Sequence, residues 1–321
     1  MLLKQSPKDF IVDEVLKREF KPGKYGIYLL KKTNYNTESA VTEIANQLKI
    51  NRKRISYAGL KDKIAITTQH ISILNPPKNF SFSHPNISLK FLGTSTGPIS
   101  LGDLEGNKFK ITVREIKNKP VIDKTKQIPN YFDNQRFSTH NHIIGKHLLK
   151  REFQQAVNLI LQTDKSKINQ INKILQKNPN DFVNALRTIP PKMLMFYIHA
   201  YQSQLFNETV YNYLKTTQNP TQTQIPLIGF GLKAEDDLKH VIDQILKKEN
   251  LAPRDFIIRE IPELSMEGAL RDLFIEIKDL NYEIKNDTKT STHIVILEFY
   301  LPKGCYATMV VKNLIGGSSG I

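Results

Sequence analysis

Asp62 stands between two cations in the run Tyr57-Ala58-Gly59-Leu60-Lys61-Asp62-Lys63. A carboxylate on a short loop held by a sheet is well placed to act on a ligand. The lysines beside it favour its ionised form if they point the same way. On these residues alone, a solvated Lys-Asp-Lys turn fits better than a site. A second run, Pro129-Asn130-Tyr131-Phe132-Asp133-Asn134-Gln135-Arg136-Phe137, mixes three aromatics with amides and an arginine. Aromatic faces stack on nucleic-acid bases and amides read base edges. Core packing by Phe132 and Phe137 explains the same residues equally well. A third run, Phe299-Tyr300-Leu301-Pro302-Lys303-Gly304-Cys305-Tyr306-Ala307-Thr308, reads by itself only as a strand and a turn.

Other chemistries find little support. His140, His142 and His147 lack the carboxylate or thiol that would complete a metal site, so no metal is expected. Gly229 and Gly231 are too sparse for a phosphate-binding loop. The single cysteine, Cys305, excludes an internal disulfide and a cysteine zinc cage, and reads as a buried structural thiol in a reducing cytoplasm. No apolar run is long enough to cross a membrane, and the N-terminus meets charge at Lys4 without a signal-peptide core.

The net charge of +15 suits a polyanionic partner. Its distribution is uneven. Residues 1–138 hold 24 Lys and Arg against 12 Asp and Glu, residues 139–265 hold 16 against 12, and residues 266–321 hold 6 against 7. The field therefore belongs mainly to the first region, which also holds Asp62.

The elements that must position these residues follow from periodicity. Ile11–Leu16, Tyr25–Lys31, Ile55–Ala58, Thr68–Leu74 and Ile87–Leu92 read as strands, and Phe109, Ile111 and Val113 alternate in another. Asn36 or Thr37 caps a helix through Ala40, Val41, Ile44, Ala45 and Leu48. From about Asn141 to Lys248 the apolar pattern is mostly helical, with Pro190 and Pro191 opening a long helix and Asn219-Pro220 and Ile225-Pro226 in the loop after it. Strands return at Leu273–Ile277 and Ile294–Leu301, and Gly/Ser residues 316–320 form a flexible tail. Strands, helices, then strands predict an α+β domain, residues 1–138 and 266–321, interrupted by a mostly helical inserted domain, 139–265.

Taken together and in order, these runs resemble the TruD family of transfer-RNA pseudouridine synthases. Leu2-Leu3-Lys4-Gln5-Ser6-Pro7-Lys8-Asp9-Phe10-Ile11-Val12-Asp13-Glu14 is similar to the family's opening pattern, with its lysine on Lys4 and its phenylalanine on Phe10. Ala58 through Gln69 resembles the catalytic loop, with the family's aspartate on Asp62. Asn130-Tyr131-Phe132 through Arg136-Phe137 resembles the most distinctive motif, and Phe299 through Thr308 the last. Ala200 through Asn207 resembles a motif of the inserted domain, and Leu60 stands where relatives carry a polar residue.

The resemblance implies a mixed, largely antiparallel sheet in a pseudouridine-synthase catalytic domain, with an inserted TRUD domain. It implies isomerisation of uridine, at position 13 of transfer RNA, in a cytoplasmic enzyme that needs no cofactor, no metal and no membrane. A monomer is the favoured state. Asp62 would act on the ribose of a flipped-out nucleotide, and Lys4 would keep it ionised in a dry pocket. Phe132 would stack on the base, Asn130 would hydrogen-bond the substrate or near Asp62, and Phe10 and Phe299 would shape the pocket. The competing readings are a non-catalytic RNA-binding protein and a synthase acting on another RNA.

Overall fold

The computed structural model describes residues 1–78, 80–124, 127–217, 220, 223–234, 236–287 and 290–316. The expected tail at 317–320, and Asn219 of the loop, lie outside them. The chain forms two compact units. Unit 1 is Met1–Lys126 with Glu276–Ile321, and unit 2 is Gln127–Ile275.

Along the chain come β1 (Phe10–Leu16), β2 (Tyr25–Thr33), α1 (Thr37–Gln47), β3 (Ile55–Tyr57), β4 (Ile66–Leu74), β5 (Ile87–Ser95) and β6 (Leu104–Ile116). Unit 2 follows with β7 (Ile128–Pro129), α2 (Asn141–Leu149), α3 (Phe153–Thr163), α4 (Ile168–Lys177), α5 (Phe182–Arg187), α6 (Pro191–Thr216), β8 (Gln224–Leu227), α7 (Asp236–Glu249), β9 (Ala269–Asp272) and β10 (Phe274–Ile275). The chain then returns to unit 1 with β11 (Lys278–Asp287), β12 (Thr292–Pro302) and α8 (Ala307–Ile315).

The sheet of unit 1 runs β11-β12-β6-β1-β4-β2-β5, with β3 paired to β4. Every pairing is antiparallel except β1 with β4. The fold is thus α+β with a mixed, largely antiparallel sheet. Its register decides which side chains share a face, because partners directly opposite point the same way. Val12 lies opposite Phe109 and Thr67, Phe109 opposite Phe299, Thr67 opposite Lys32, and Leu30 opposite Gln69. Phe10, Val12, Lys32, Thr67, Gln69, Phe109 and Phe299 therefore stand on one face.

Helix α1 covers part of this sheet. Asn36 accepts a hydrogen bond from the Glu38 amide and caps its start. Ala40, Val41, Ile44 and Ala45 are buried against Tyr28, Leu30, Ile71 and Ile73. Val41 and Ile44 each contribute about 1.5–3 kcal/mol by leaving water, and the two alanines less. The strand expected over Leu273–Ile277 is shorter, only Phe274–Ile275, and pairs with Ile128–Pro129 inside unit 2. The outer neighbour of β12 is β11, an edge strand that is exposed or half-exposed throughout.

Unit 2 is built around α6. Leu194, Tyr197, Ile198, Tyr201, Leu205, Phe206, Val210 and Tyr213 are buried along it. Helix α2 packs on α6 at Gly145, where an added Cβ would lie 2.0 Å from the Tyr197 carbonyl oxygen. Only the missing side chain permits that approach.

Candidate active site

The N-terminal segment is tied down before it reaches β1. Leu2 and Arg114 exchange backbone hydrogen bonds of 2.8 and 3.0 Å. The Arg114 guanidinium donates to the buried Asp9 carboxylate at 2.7 and 3.1 Å, and the Ser6 amide donates to Asp9 at 3.0 Å. Burial alone would raise the Asp9 carboxyl, but Arg114 and Ser6 outweigh it and hold it below the usual range. Between these ties Lys4 adopts φ 57°, a left-handed backbone that a lysine takes at a cost.

That backbone delivers the Lys4 ammonium to Asp62. The two form an ion pair of 2.7 Å, and the same Nζ lies 4.0 Å above the Phe10 ring. Phe10 is buried and meets Phe109 edge-on at 6.1 Å, while Phe109 stacks on Phe299 at 5.5 Å. The structure therefore brings Lys4, Phe10 and Asp62 into contact and places Phe299 two strands further on, across β6. Phe109, which no motif singled out, links the two phenylalanines.

The loop that carries Asp62 borrows its support from side chains of the sheet and of α1. Gln69 donates to the Gly59 carbonyl at 3.1 Å, and the Lys61 amide donates to Thr37 Oγ1 at 3.1 Å. Thr37 in turn donates to Gln69 Oε1 at 3.0 Å. Lys32 Nζ donates to the Asp62 carbonyl at 2.7 Å and to the Lys61 carbonyl at 3.4 Å. The Lys61 side chain turns down to Glu14 at 2.7 Å, leaving Asp62 exposed over a third of its side chain, 36%. Leu60 and Ile64 are exposed on the same loop.

Two buried charges sit in that support. Burial pushes the Lys32 ammonium down to about 8; Asp62 works against the shift and Lys61 with it. Burial would raise the Glu14 carboxyl, but His70 and Lys61 outweigh it and hold it below the usual carboxylate range. Alternation in Tyr28-Leu30-Lys32 signals an inward lysine, and Glu14 continues the inward series Phe10-Val12-Glu14. Hydrophobic patterning passes over both because it marks charged residues as surface.

Asn130 and Phe132 belong to unit 2. Asn130 is buried, its amide donates to the Leu273 carbonyl at 2.8 Å, and its backbone and side-chain oxygens accept from Arg271 at 3.1 and 2.6 Å. Asn207 clasps the Phe132 peptide at both ends, accepting from its amide at 2.8 Å and donating to its carbonyl at 2.9 Å. The Phe132 ring carries the Arg271 guanidinium 4.1 Å from its centroid and the Phe206 ring edge-on at 5.5 Å. Arg271 thus organises both motif residues, and nothing in its own segment pointed to it.

A cavity of about 340 Å³ on unit 1 is lined by Asp13, Lys108, Lys110, Glu298, Phe299 and Tyr300 among others. Neither Asp62 nor Lys4 lines it, so it is not where these two would meet a ligand. Among the described residues no group of three or more His, Cys, Asp or Glu could hold a metal ion, and no helix is long and apolar enough to cross a membrane. Cys305 is half-buried, not the fully buried thiol expected.

The profile of the tRNA pseudouridine synthase D (TruD) family matches residues 1–174, 169–223 and 215–314. A relative named tRNA pseudouridine synthase D from Nanoarchaeum equitans is 33% identical, covering 98% of each chain. One of the same name from Thermococcus onnurineus is 30% identical over 98% of this chain and 94% of its own. A crystal structure named for TruD from Methanosarcina mazei superposes with a TM-score of 0.76 at 26% identity, covering 98% of this chain and 93% of that one. The chain belongs to the tRNA pseudouridine synthase D (TruD) family.

Proposed function

We propose that this isomerase converts uridine to pseudouridine at position 13 of transfer RNA, with Asp62 acting on the ribose of a flipped-out nucleotide. The observation that carries the assignment is the 2.7 Å ion pair between Asp62 and Lys4, on a loop braced from the sheet while its carboxylate stays accessible. The reaction breaks N1–C1′ and joins C5 to C1′; the C5 proton leaves and N1 takes one up. No redox change occurs. The protein must hold an anion at the sugar, keep it charged when water is excluded, and retain the freed uracil while it turns.

Asp62 is the anion. It adds to C1′ or removes the 2′ proton, and a primary isotope effect with 2′-deuterated RNA marks the second route. Lys4 is its counter-cation, seated on the Phe10 ring, which favours a cation over its face. Phe10 and Phe299 shape the floor from within the sheet. Phe132 stacks on a base and Asn130 hydrogen-bonds the substrate; Arg271 and Asn207 pre-set both residues. Residues 139–265 hold the RNA away from the reacting nucleotide.

Asp62→Asn keeps the shape and removes the charge. Tritium release from 5-tritiated uridine RNA should then be lost while RNA binding stays within a few-fold of the parent. Appreciable residual turnover would sink the assignment.

A further inference from the structure

We propose that Lys32 is a positioning residue for the reaction: a buried ammonium that grips the Lys61 and Asp62 carbonyls and so sets where the Asp62 carboxylate points. The inference rests on Asp62 being the reacting carboxylate.

Lys32 has no exposed surface, and its Nζ lies 2.7 Å from the Asp62 carbonyl and 3.4 Å from that of Lys61. Among the described residues no carboxylate comes within ion-pair distance of it. A buried ammonium without a paired anion is costly, and a methionine would fill the same space without that cost. A charged donor holds a carbonyl more tightly than a neutral one, and that gives the buried charge a use here.

The anion nearest to its purpose is Asp62, whose own carbonyl it holds. Asp62 is therefore held twice. Lys4 touches its carboxylate from the N-terminal segment, and Lys32 fixes its peptide from below. The two contacts do different work. Lys4 balances charge at the side chain, whereas Lys32 sets the direction in which the side chain leaves the loop.

The charged groups around Lys32 are Asp62 and Lys61 of the loop. Behind Lys61 stand Glu14 of β1 and His70 of β4, and beyond Asp62 stands Lys4. Thr37 on α1, with Thr67 and Gln69 on β4, is neutral. Burial lowers the Lys32 ammonium to about 8. As pH rises through that value the loop loses its buried charge, and the rate falls.

The test is single-turnover pseudouridine formation on a transfer RNA transcript by the full chain, for wild type, K32M and D62N, from pH 6 to 9. K32M should fold and bind the transcript as wild type does. Its single-turnover rate should fall about 100-fold, the scale expected when a reacting group is misplaced by an ångström. The wild-type rate should decline with an apparent pKa of about 8, and that limb should be missing from K32M. A K32M rate within about threefold of wild type would overturn the inference, as would a loss confined to Kd. If K32M does not fold, a wild-type profile flat to pH 9 overturns it instead. D62N separates the two ideas. Turnover by D62N defeats the Asp62 assignment itself, whereas an inactive D62N beside a fully active K32M defeats only the role of Lys32.

Discussion

Replacing Lys4 by Met isolates what its charge contributes. Methionine keeps the length of the side chain and its contact with Phe10, since a thioether also packs well on an aromatic ring. Only the ammonium goes. At the observed 2.7 Å separation, two unit charges attract by about 1.5 kcal/mol in bulk water and about 6 kcal/mol at an effective dielectric near 20. In the free enzyme Asp62 is more than a third exposed, so the pair is worth only about 1 kcal/mol, near the low end. Bound RNA excludes water from the loop, and the loss of the partner then costs about 2–4 kcal/mol at the transition state. K4M should therefore turn over about 30- to 1000-fold more slowly. The effect should fall on kcat in steady-state tritium release, with the Kd for transfer RNA within a few-fold of wild type. The melting temperature should hardly move. A kcat within about threefold of wild type, or a loss carried wholly by KM, would refute the reasoning.

Two further outcomes follow from buried features. Gly145→Ala puts a Cβ 2.0 Å from the Tyr197 carbonyl oxygen, a backbone atom that cannot swing away. The clash should outweigh alanine's better helix propensity and destabilise unit 2 by about 3 kcal/mol, read from urea unfolding; an unchanged midpoint would count against it. Glu14→Gln removes the buried partner of Lys61, and should cost about 3 kcal/mol at neutral pH. The Glu14 carboxyl is held below its ordinary 4.5 in the fold, so the stability it contributes is present above that value and lost as pH falls beneath it. The gap between wild type and E14Q should thus narrow below pH 4.5 in acid unfolding, and a gap that widens there would contradict the pairing.

Much of the candidate site could be read in the amino-acid order. The four ordered motifs pointed to Asp62, Lys4 and Phe10, and the structure puts those three in contact. Alternating strands marked most of the sheet, because those strands have one buried and one wet face. Edge strand β11 escaped notice for the converse reason: Lys278–Asp287 is buried on neither face, so its residues carry no period-two signal. Lys32 and Glu14 escaped for another. They are charges at inward positions, and patterning treats such positions as apolar. Arg271 escaped because its partners, Asn130 and Phe132, lie about 140 residues earlier, and nothing local records that contact.

The order of strands in the sheet also constrains how the protein is made. Strand β6 lies between β1 and β12, yet Ile116 ends β6 and Thr292 begins β12, 176 positions later. On a ribosome adding roughly 5–20 residues per second, the outer rim of β6 waits for about 10–35 s with its peptide groups unmatched. All of unit 2 is synthesised in that interval. An open rim of this kind recruits other strands. Lys108, Lys110 and Arg114 share one side of β6, with Thr112 between them, and set three positive charges along it. The same lysines and arginine that add to the basic field of the mature enzyme thus guard a half-built sheet against its neighbours until its last hairpin arrives.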